Sequence, residues 1–229
     1  MSINTMSQYD LCLITDYGLI RPESLIDAVN MAIDGGVRFI QYRDKSVGSL
    51  RHTGHCHSMR ESYNIALSLR KLTKRYGVVY IINDDIDIFL AVGADGVHIG
   101  QDDIPLSVAR NIIGEDKIIG VSTHNLQEAV DAERGGADYI GIGPIFHTDT
   151  KKIGIPVGYD IIREIKRVVN IPIYAIGGIN ESNVQDVIDA GADGVAVISA
   201  IWGSDDIKGS AAKLLRLIKD ATSFKTEKF

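Results

Sequence analysis

Three polar side chains in the stretch QYRDK fall at alternate positions: Gln41, Arg43 and Lys45. On a strand, the two-residue period turns all three to one face. An amide and two cations side by side form a cradle for a diphosphate or another polyanion, because charge-assisted bonds to phosphate oxygens are strong and an arginine fork matches their geometry. The competing reading is a pair of rim cations in surface ion pairs. The cradle is favoured, since unpaired cations in a strand interior carry a heavy desolvation cost.

The stretch YIINDDIDIF runs from apolar residues into Asn83, Asp84, Asp85 and Asp87. Asn83 and Asp84 would point opposite ways on a regular strand, so the strand must break there if both are to face one site. A second carboxylate, Asp103, follows the next apolar run in HIGQDD. Neighbouring strands lie only about 5 Å apart, which lets Asp84 and Asp103 converge on one ion. Two carboxylates facing a diphosphate suit Mg2+, which takes one or two protein carboxylates, phosphate oxygens and water. Asp85, Asp87 and Asp102 are read instead as acids beside helix N-termini. Asp95, Asp138 and Asp193 recur at one place in a repeated pattern, before a strand, and are read as structural turn residues.

Further along, GPIFHTDTKK offers Thr148, Thr150 and Lys151, two hydroxyls and a cation suited to phosphate. AIGGIN presents backbone N–H groups at Gly177 and Gly178, and VISAI places Ser199 at the end of the last apolar run. The loops after the seventh and eighth strands of an α/β barrel form a recurrent phosphate site, where glycine lets the backbone approach the anion. Two anion sites in one mouth, one metal-assisted and one metal-free, suggest two phosphorylated substrates meeting head to head.

These residues need a scaffold that brings distant segments to one end. GGVRFIQYR, GADGVHIGQ, GGADYIGIG and GADGVAVIS, starting at 35, 93, 135 and 191, share one grammar: a helix-ending glycine, a tight turn and an apolar strand. Eight strand candidates follow, at 11–16, 37–43, 78–83, 96–101, 117–122, 139–144, 171–177 and 194–199. Amphipathic helical stretches lie at about 22–34, 59–75, 85–92, 105–113, 125–134, 158–169, 181–189 and 209–221. Pro105 marks one helix start, and Asn180 or Ser182 another. The expectation is a single (β/α)8 TIM barrel over about 10–220 of a one-domain chain. A doubly wound open sheet is the runner-up, and no strong GxGxxG loop favours it.

Bulk properties agree. The chain has 229 residues, of which 45% are apolar, a net charge of −6 and a pI near 5.5. That charge argues against nucleic acid or an anionic membrane as a partner. Cys12 and Cys56 form no disulfide or zinc pattern, and no basic-then-apolar leader or long apolar run occurs, so a cytoplasmic protein is expected. The oligomeric state is left open, a homo-oligomer included.

In order, QYRDK, NDD, GADGVHIGQDD, GVSTH, DYIGIGPIFHTDTKK, IGGI and GADGVAVISAI resemble the thiamine-phosphate synthase family over roughly residues 10 to 220. The resemblance implies a barrel enzyme that joins hydroxymethylpyrimidine diphosphate to a thiazole phosphate, with thiamine phosphate and diphosphate as products. Carried over by motif, it implies that Gln41, Arg43, Lys45, Asn83, Ser122 and Lys151 hold the pyrimidine diphosphate. Asp84 and Asp103 would bind Mg2+, and Thr148, Thr150, Gly178, Ile198 and Ser199 the thiazole phosphate. Arg43, Lys45, Ser122 and Lys151 would assist the chemistry, a dissociative substitution that needs no protein nucleophile. Ser122 and His124 have no evident third partner for a hydrolase triad.

The chain departs from the family in a longer connection, SVGSLRHTGHCHSM, and in Ile153-Gly154 after the lysine pair, where the family often has an acid. His52, His55, Cys56 and His57 match no standard zinc spacing, and a basic loop over the diphosphate is the expectation. Two alternatives remain: a thiazole tautomerase on the same barrel, using His124 without metal, and a non-catalytic sensor of a phosphorylated ligand.

Overall fold

The computed structural model describes residue 6 and residues 10–19, 25–45, 57–148 and 155–226. Eight parallel strands close on themselves in chain order: β1 (Leu11–Ile14), β2 (Phe39–Tyr42), β3 (Val79–Asn83), β4 (Gly96–Ile99), β5 (Ile118–Thr123), β6 (Tyr139–Ile142), β7 (Ile173–Ile176) and β8 (Gly194–Val197). β8 pairs with β1, with Cys12 beside Ala196, so no strand edge is left open. Around them lie α1 (Leu25–Asp34), α2 (Met59–Tyr76), α3 (Ile86–Val92), α4 (Leu106–Ile113), α5 (Leu126–Arg134), α6 (Asp160–Lys166), α7 (Val184–Asp189), α8 (Ser199–Trp202) and α9 (Ile207–Thr226). This is the (β/α)8 TIM barrel that the apolar runs imply.

The strands are buried on both faces, which is why they read as continuous apolar runs. Side chains turned inward, including Cys12, Phe39, Ile81, Tyr139 and Tyr174, form one core, and those turned outward pack beneath the helices in a second. Phe39, Tyr139 and Tyr174 meet edge to face with ring centroids 5.3 to 5.7 Å apart. Glycines make room for these rings. A Cβ on Gly120 would stand 2.1 Å from the Tyr139 ring and 2.5 Å from His98 Nδ1.

The repeated aspartates brace the opposite end of the barrel from the strand tips. Asp95 accepts the Tyr80 N–H at 2.9 Å and the Arg70 guanidinium at 3.0 Å. Asp138 accepts the Ile119 N–H at 2.8 Å and Arg110 at 2.7 Å. Asp193 accepts the Ile173 N–H at 2.9 Å and Lys166 at 2.7 Å. Each carboxylate thus ties the start of one strand to its predecessor and to a basic residue on α2, α4 or α6. Arg38 takes the corresponding place before β2 and donates instead to the Ile33 and Val37 carbonyls. The reading of these acids as structural holds.

Helix boundaries moved where local bonding competes. Asn180 accepts from the Ser182 N–H and hydroxyl in a turn of its own, so α7 starts only at Val184. Pro105 occupies the N-cap position of α4 rather than its first turn. Ser199 does not end a strand. It opens α8, whose four residues are too few to leave a periodic signature in the sequence.

Candidate active site

At the C-terminal mouth of the barrel is a cavity of 440 Å3. Its lining contains Gln41, Arg43, Lys45, Asn83, Asp84, Asp103, Ser122, Thr148, Gly178, Ile198 and Ser199. Residues as far apart in sequence as 41 and 199 therefore line one cavity. Thr150 and Lys151 lie outside the described residues, as do His52, His55 and Cys56.

On one side, β2 delivers the cradle. Gln41 is buried at the cavity floor, and Arg43 and Lys45 follow beyond the strand tip. The Arg43 guanidinium is held by Asp16 at 3.0 Å, and its backbone is clamped by Thr15, whose hydroxyl accepts the Arg43 N–H at 2.9 Å and donates to its carbonyl at 3.1 Å. Lys45 makes an ion pair with Asp84.

Asp84 resolves the geometry of adjacent polar residues. Its φ is 61°, the only left-handed value at a non-glycine among the described residues, and its N–H donates to the His98 carbonyl at 2.8 Å. This backbone turn ends β3 after a last bond to β4 and lets both Asn83 and Asp84 face the cavity. Aspartate tolerates the conformation better than most residues. Asp103 is aimed by the Gly100 N–H, which donates to its Oδ2 at 2.6 Å. Burial, and then the neighbouring Asp84 carboxylate, push the Asp103 carboxyl above its ordinary range.

Lys45 is the cation beside this carboxylate pair, and it holds Asp84. Among the described residues no cluster of three or more His, Cys, Asp or Glu side chains gathers, so a metal caged by protein ligands alone is not what they build. A pair of carboxylates fits Mg2+, whose remaining positions are filled by phosphate oxygens and water. Asp85 and Asp87 open α3, as expected of helix-start acids, although Asp85 makes no side-chain cap bond. Asp102 also lines the mouth, beside Asp103.

A buried polar chain crosses the floor. Ser122 Oγ lies 2.9 Å from His98 Nε2, and His98 Nδ1 lies 2.9 Å from the Tyr139 hydroxyl, which in turn meets Gln41. His98 and Tyr139 were missed in the sequence. A signal was present: each stands at alternate positions with glycines, Gly96-His98-Gly100 and Tyr139-Gly141-Gly143, marking one large polar side chain aimed into a space kept clear. Tyr139 rather than a carboxylate stands behind the Ser122–His98 pair, so no hydrolase triad results.

On the far side, the place expected for a second anion is lined largely by backbone. Gly178 has φ 65°, and a Cβ there would stand 2.4 Å from the His147 carbonyl oxygen. The Phe146 N–H donates to the Gly177 carbonyl at 3.0 Å, joining the loop after β6 to the end of β7. The first N–H groups of a helix have no intrahelical acceptor, and α8 brings such groups to the cavity at Ser199. α8 is anchored by Trp202, whose indole N–H donates to the Ile14 carbonyl at 2.7 Å. The end of β1 thus braces both sites, through Trp202 on one side and Arg43 on the other.

The family model described as thiamine monophosphate synthase matches residues 11–201. The chain belongs to the thiamine monophosphate synthase family. It is 48% identical over 219 residues to the thiamine-phosphate synthase of Chloroflexus aurantiacus, covering 95% of this chain and 96% of the relative. It is 45% identical over 210 residues to that of Clostridium novyi, covering 91% and 98%. Among solved structures, a thiamine phosphate pyrophosphorylase from Pyrococcus furiosus superposes with a TM-score of 0.82 at 38% identity, covering 94% of this chain and 98% of that one. The motifs that resemble the thiamine monophosphate synthase family are the ones whose described residues meet in the cavity.

Proposed function

We propose that this chain is a thiamine-phosphate synthase, a transferase that joins hydroxymethylpyrimidine diphosphate to hydroxyethylthiazole phosphate. The observation that carries the reading is a single mouth lined by two unlike groups of residues, each suited to an anion: cations and a carboxylate pair at β2 to β4, and backbone at β7 and α8.

In the proposed reaction the bond between the pyrimidine methylene carbon and the diphosphate oxygen breaks first, and the leaving diphosphate takes the electron pair. The thiazole nitrogen then gives its lone pair to the carbocation and forms the new C–N bond. Arg43 and Lys45, with Lys151, neutralise charge building on the leaving oxygens, which is where preorganised cations act most strongly. Asp84 and Asp103 would hold Mg2+, which supplies further charge neutralisation on the diphosphate when bound. Asn83, Gln41 and Ser122 orient the pyrimidine. Thr148, Thr150, Gly178, Ile198 and Ser199 place the thiazole phosphate so that its nitrogen faces the carbocation.

His124, which the tautomerase alternative requires, lines the mouth, but its Nδ1 lies 3.0 Å from Glu128 Oε2 at the start of α5. A carboxylate on Nδ1 also orients catalytic histidines, so the case against the tautomerase rests on Asp84, Asp103 and Lys151, which a reaction without a diphosphate does not need. Two small phosphorylated substrates, with neither nucleic acid nor membrane, are the proposed partners. Among the described residues no helix is long and apolar enough to cross a membrane, and Cys12 is a buried free thiol, which suits the cytoplasm.

The test is product identification. Incubation with both substrates and Mg2+ should yield thiamine phosphate by chromatography and mass. Binding of thiamine phosphate without formation of it would support a sensor, and rearrangement of the thiazole alone a tautomerase.

A further inference from the structure

Residues 42 and 44 alternate with the cradle residues and turn the other way, into the layer between the barrel and α2. The Asp44 side chain is wholly shielded from solvent. The Tyr42 hydroxyl donates to Asp44 Oδ2 at 3.0 Å, and His57 Nδ1 lies 2.9 Å from the same oxygen. The Tyr42 hydroxyl also meets Ser62 Oγ of α2 at 3.1 Å. Tyr17 packs edge-on against the His57 ring with centroids 4.5 Å apart. None of these five side chains lines the cavity, and the proposed chemistry uses none of them.

A buried carboxylate is costly unless its donors are fixed, and a fixed carboxylate fixes the residue that carries it. Asp44 sits between Arg43 and Lys45. Pinning it from behind sets the backbone from which both cations project. Lys45 and His57 are also the ends between which residues 46–56 run, so the Asp44–His57 contact sets the separation of those ends.

We propose that His57 is a positioning residue for the diphosphate cradle, acting through Asp44 on Arg43 and Lys45 without touching substrate. The inference rests on the synthase reading. It gives a purpose to the one histidine of that connection whose placement is described: His57 faces Asp44 rather than the cavity.

The experiment is steady-state kinetics of the full chain, with each substrate varied in turn, for wild type, His57→Leu, His57→Asn and Tyr42→Phe. Loss of one hydrogen bond to a charged group predicts that His57→Leu raises KM for the pyrimidine diphosphate about tenfold, while KM for the thiazole phosphate stays unchanged. His57→Asn places an amide N–H near the position of Nδ1 and restores most of the loss. Tyr42→Phe removes a donor to Asp44 at nearly constant volume, and shows the same selective rise even if His57→Leu fails to fold. Equal changes in both KM values, or a change in stability alone, would overturn the positioning role. A wild type that releases no diphosphate would instead overturn the synthase reading on which it rests.

Discussion

Lys45, beyond the tip of β2, pairs with the carboxylate of Asp84, which the left-handed turn at the end of the neighbouring β3 presents to it. An ammonium and a divalent cation would compete for that carboxylate, whereas an ammonium and a diphosphate attract. Lys45→Met is therefore expected to tighten Mg2+ binding in the absence of diphosphate and to weaken it in its presence. An exposed ion pair of this kind sets the first effect at no more than about fivefold. Calorimetric titration of Mg2+ with and without inorganic diphosphate reads both signs, and weaker binding in both conditions would count against the shared carboxylate.

Removing either carboxylate charge should be far more damaging. Asp84→Asn and Asp103→Asn are each expected to lower kcat by about 100-fold or more, the scale on which loss of one preorganised electrostatic contact is felt. The Mg2+ concentration for half-maximal rate should rise as well. Unchanged Mg2+ dependence in both variants would place the metal elsewhere.

The left-handed backbone at Asp84 separates charge from conformation. Asparagine accepts this φ at least as readily as aspartate, but alanine does not, so Asp84→Ala should be less stable than Asp84→Asn by about 1 kcal/mol. Urea denaturation of the two variants without metal measures the difference. Equal midpoints would show that the turn relaxes without cost.

Asp85 gives a pH signature. Its carboxyl is pushed up to about 6, first by burial and then by the Asp84 and Asp87 carboxylates, against the opposite pull of Lys45. A folded-state value above the unfolded one, about 3.9, favours the neutral acid in the fold. Its contribution is then complete below the unfolded value and is lost as pH rises through about 6. The metal-free wild type should lose stability over that window relative to Asp85→Asn. Parallel pH profiles for the two proteins would contradict it.

Gly178 tests the second anion site. A side chain there must displace the His147 carbonyl and strain a positive φ. Gly178→Ala should raise KM for the thiazole phosphate at least about tenfold, with a much smaller change for the pyrimidine diphosphate. Equal effects on both would mean that the two sites are not separate.

How much of this was legible in the sequence depends on what each residue answers to. Strands buried on both faces leave unmistakable apolar runs, so all eight were found, and the barrel then placed their tips together. The placement of Arg43, Lys45, Asp84 and Asp103 at the mouth was legible because charges at the ends of buried strands have no cheap structural explanation. The late start of α7 was not, because Asn180 and Ser182 bond each other, and propensity does not choose between a cap and a closed turn. His98 and Tyr139 were overlooked because each interrupts an apolar strand singly, and their pairing depends on the register of β4, β5 and β6. The contact between Asp44 and His57 spans 13 positions and a change of element, and no local pattern encodes it.

Diphosphate release, measured in a coupled assay with both substrates present, in Mg2+ and again in excess EDTA, tests the central claim most directly. The account predicts release that requires both substrates and Mg2+ together. Full release in EDTA, or release from the pyrimidine substrate alone at the same rate, would contradict it.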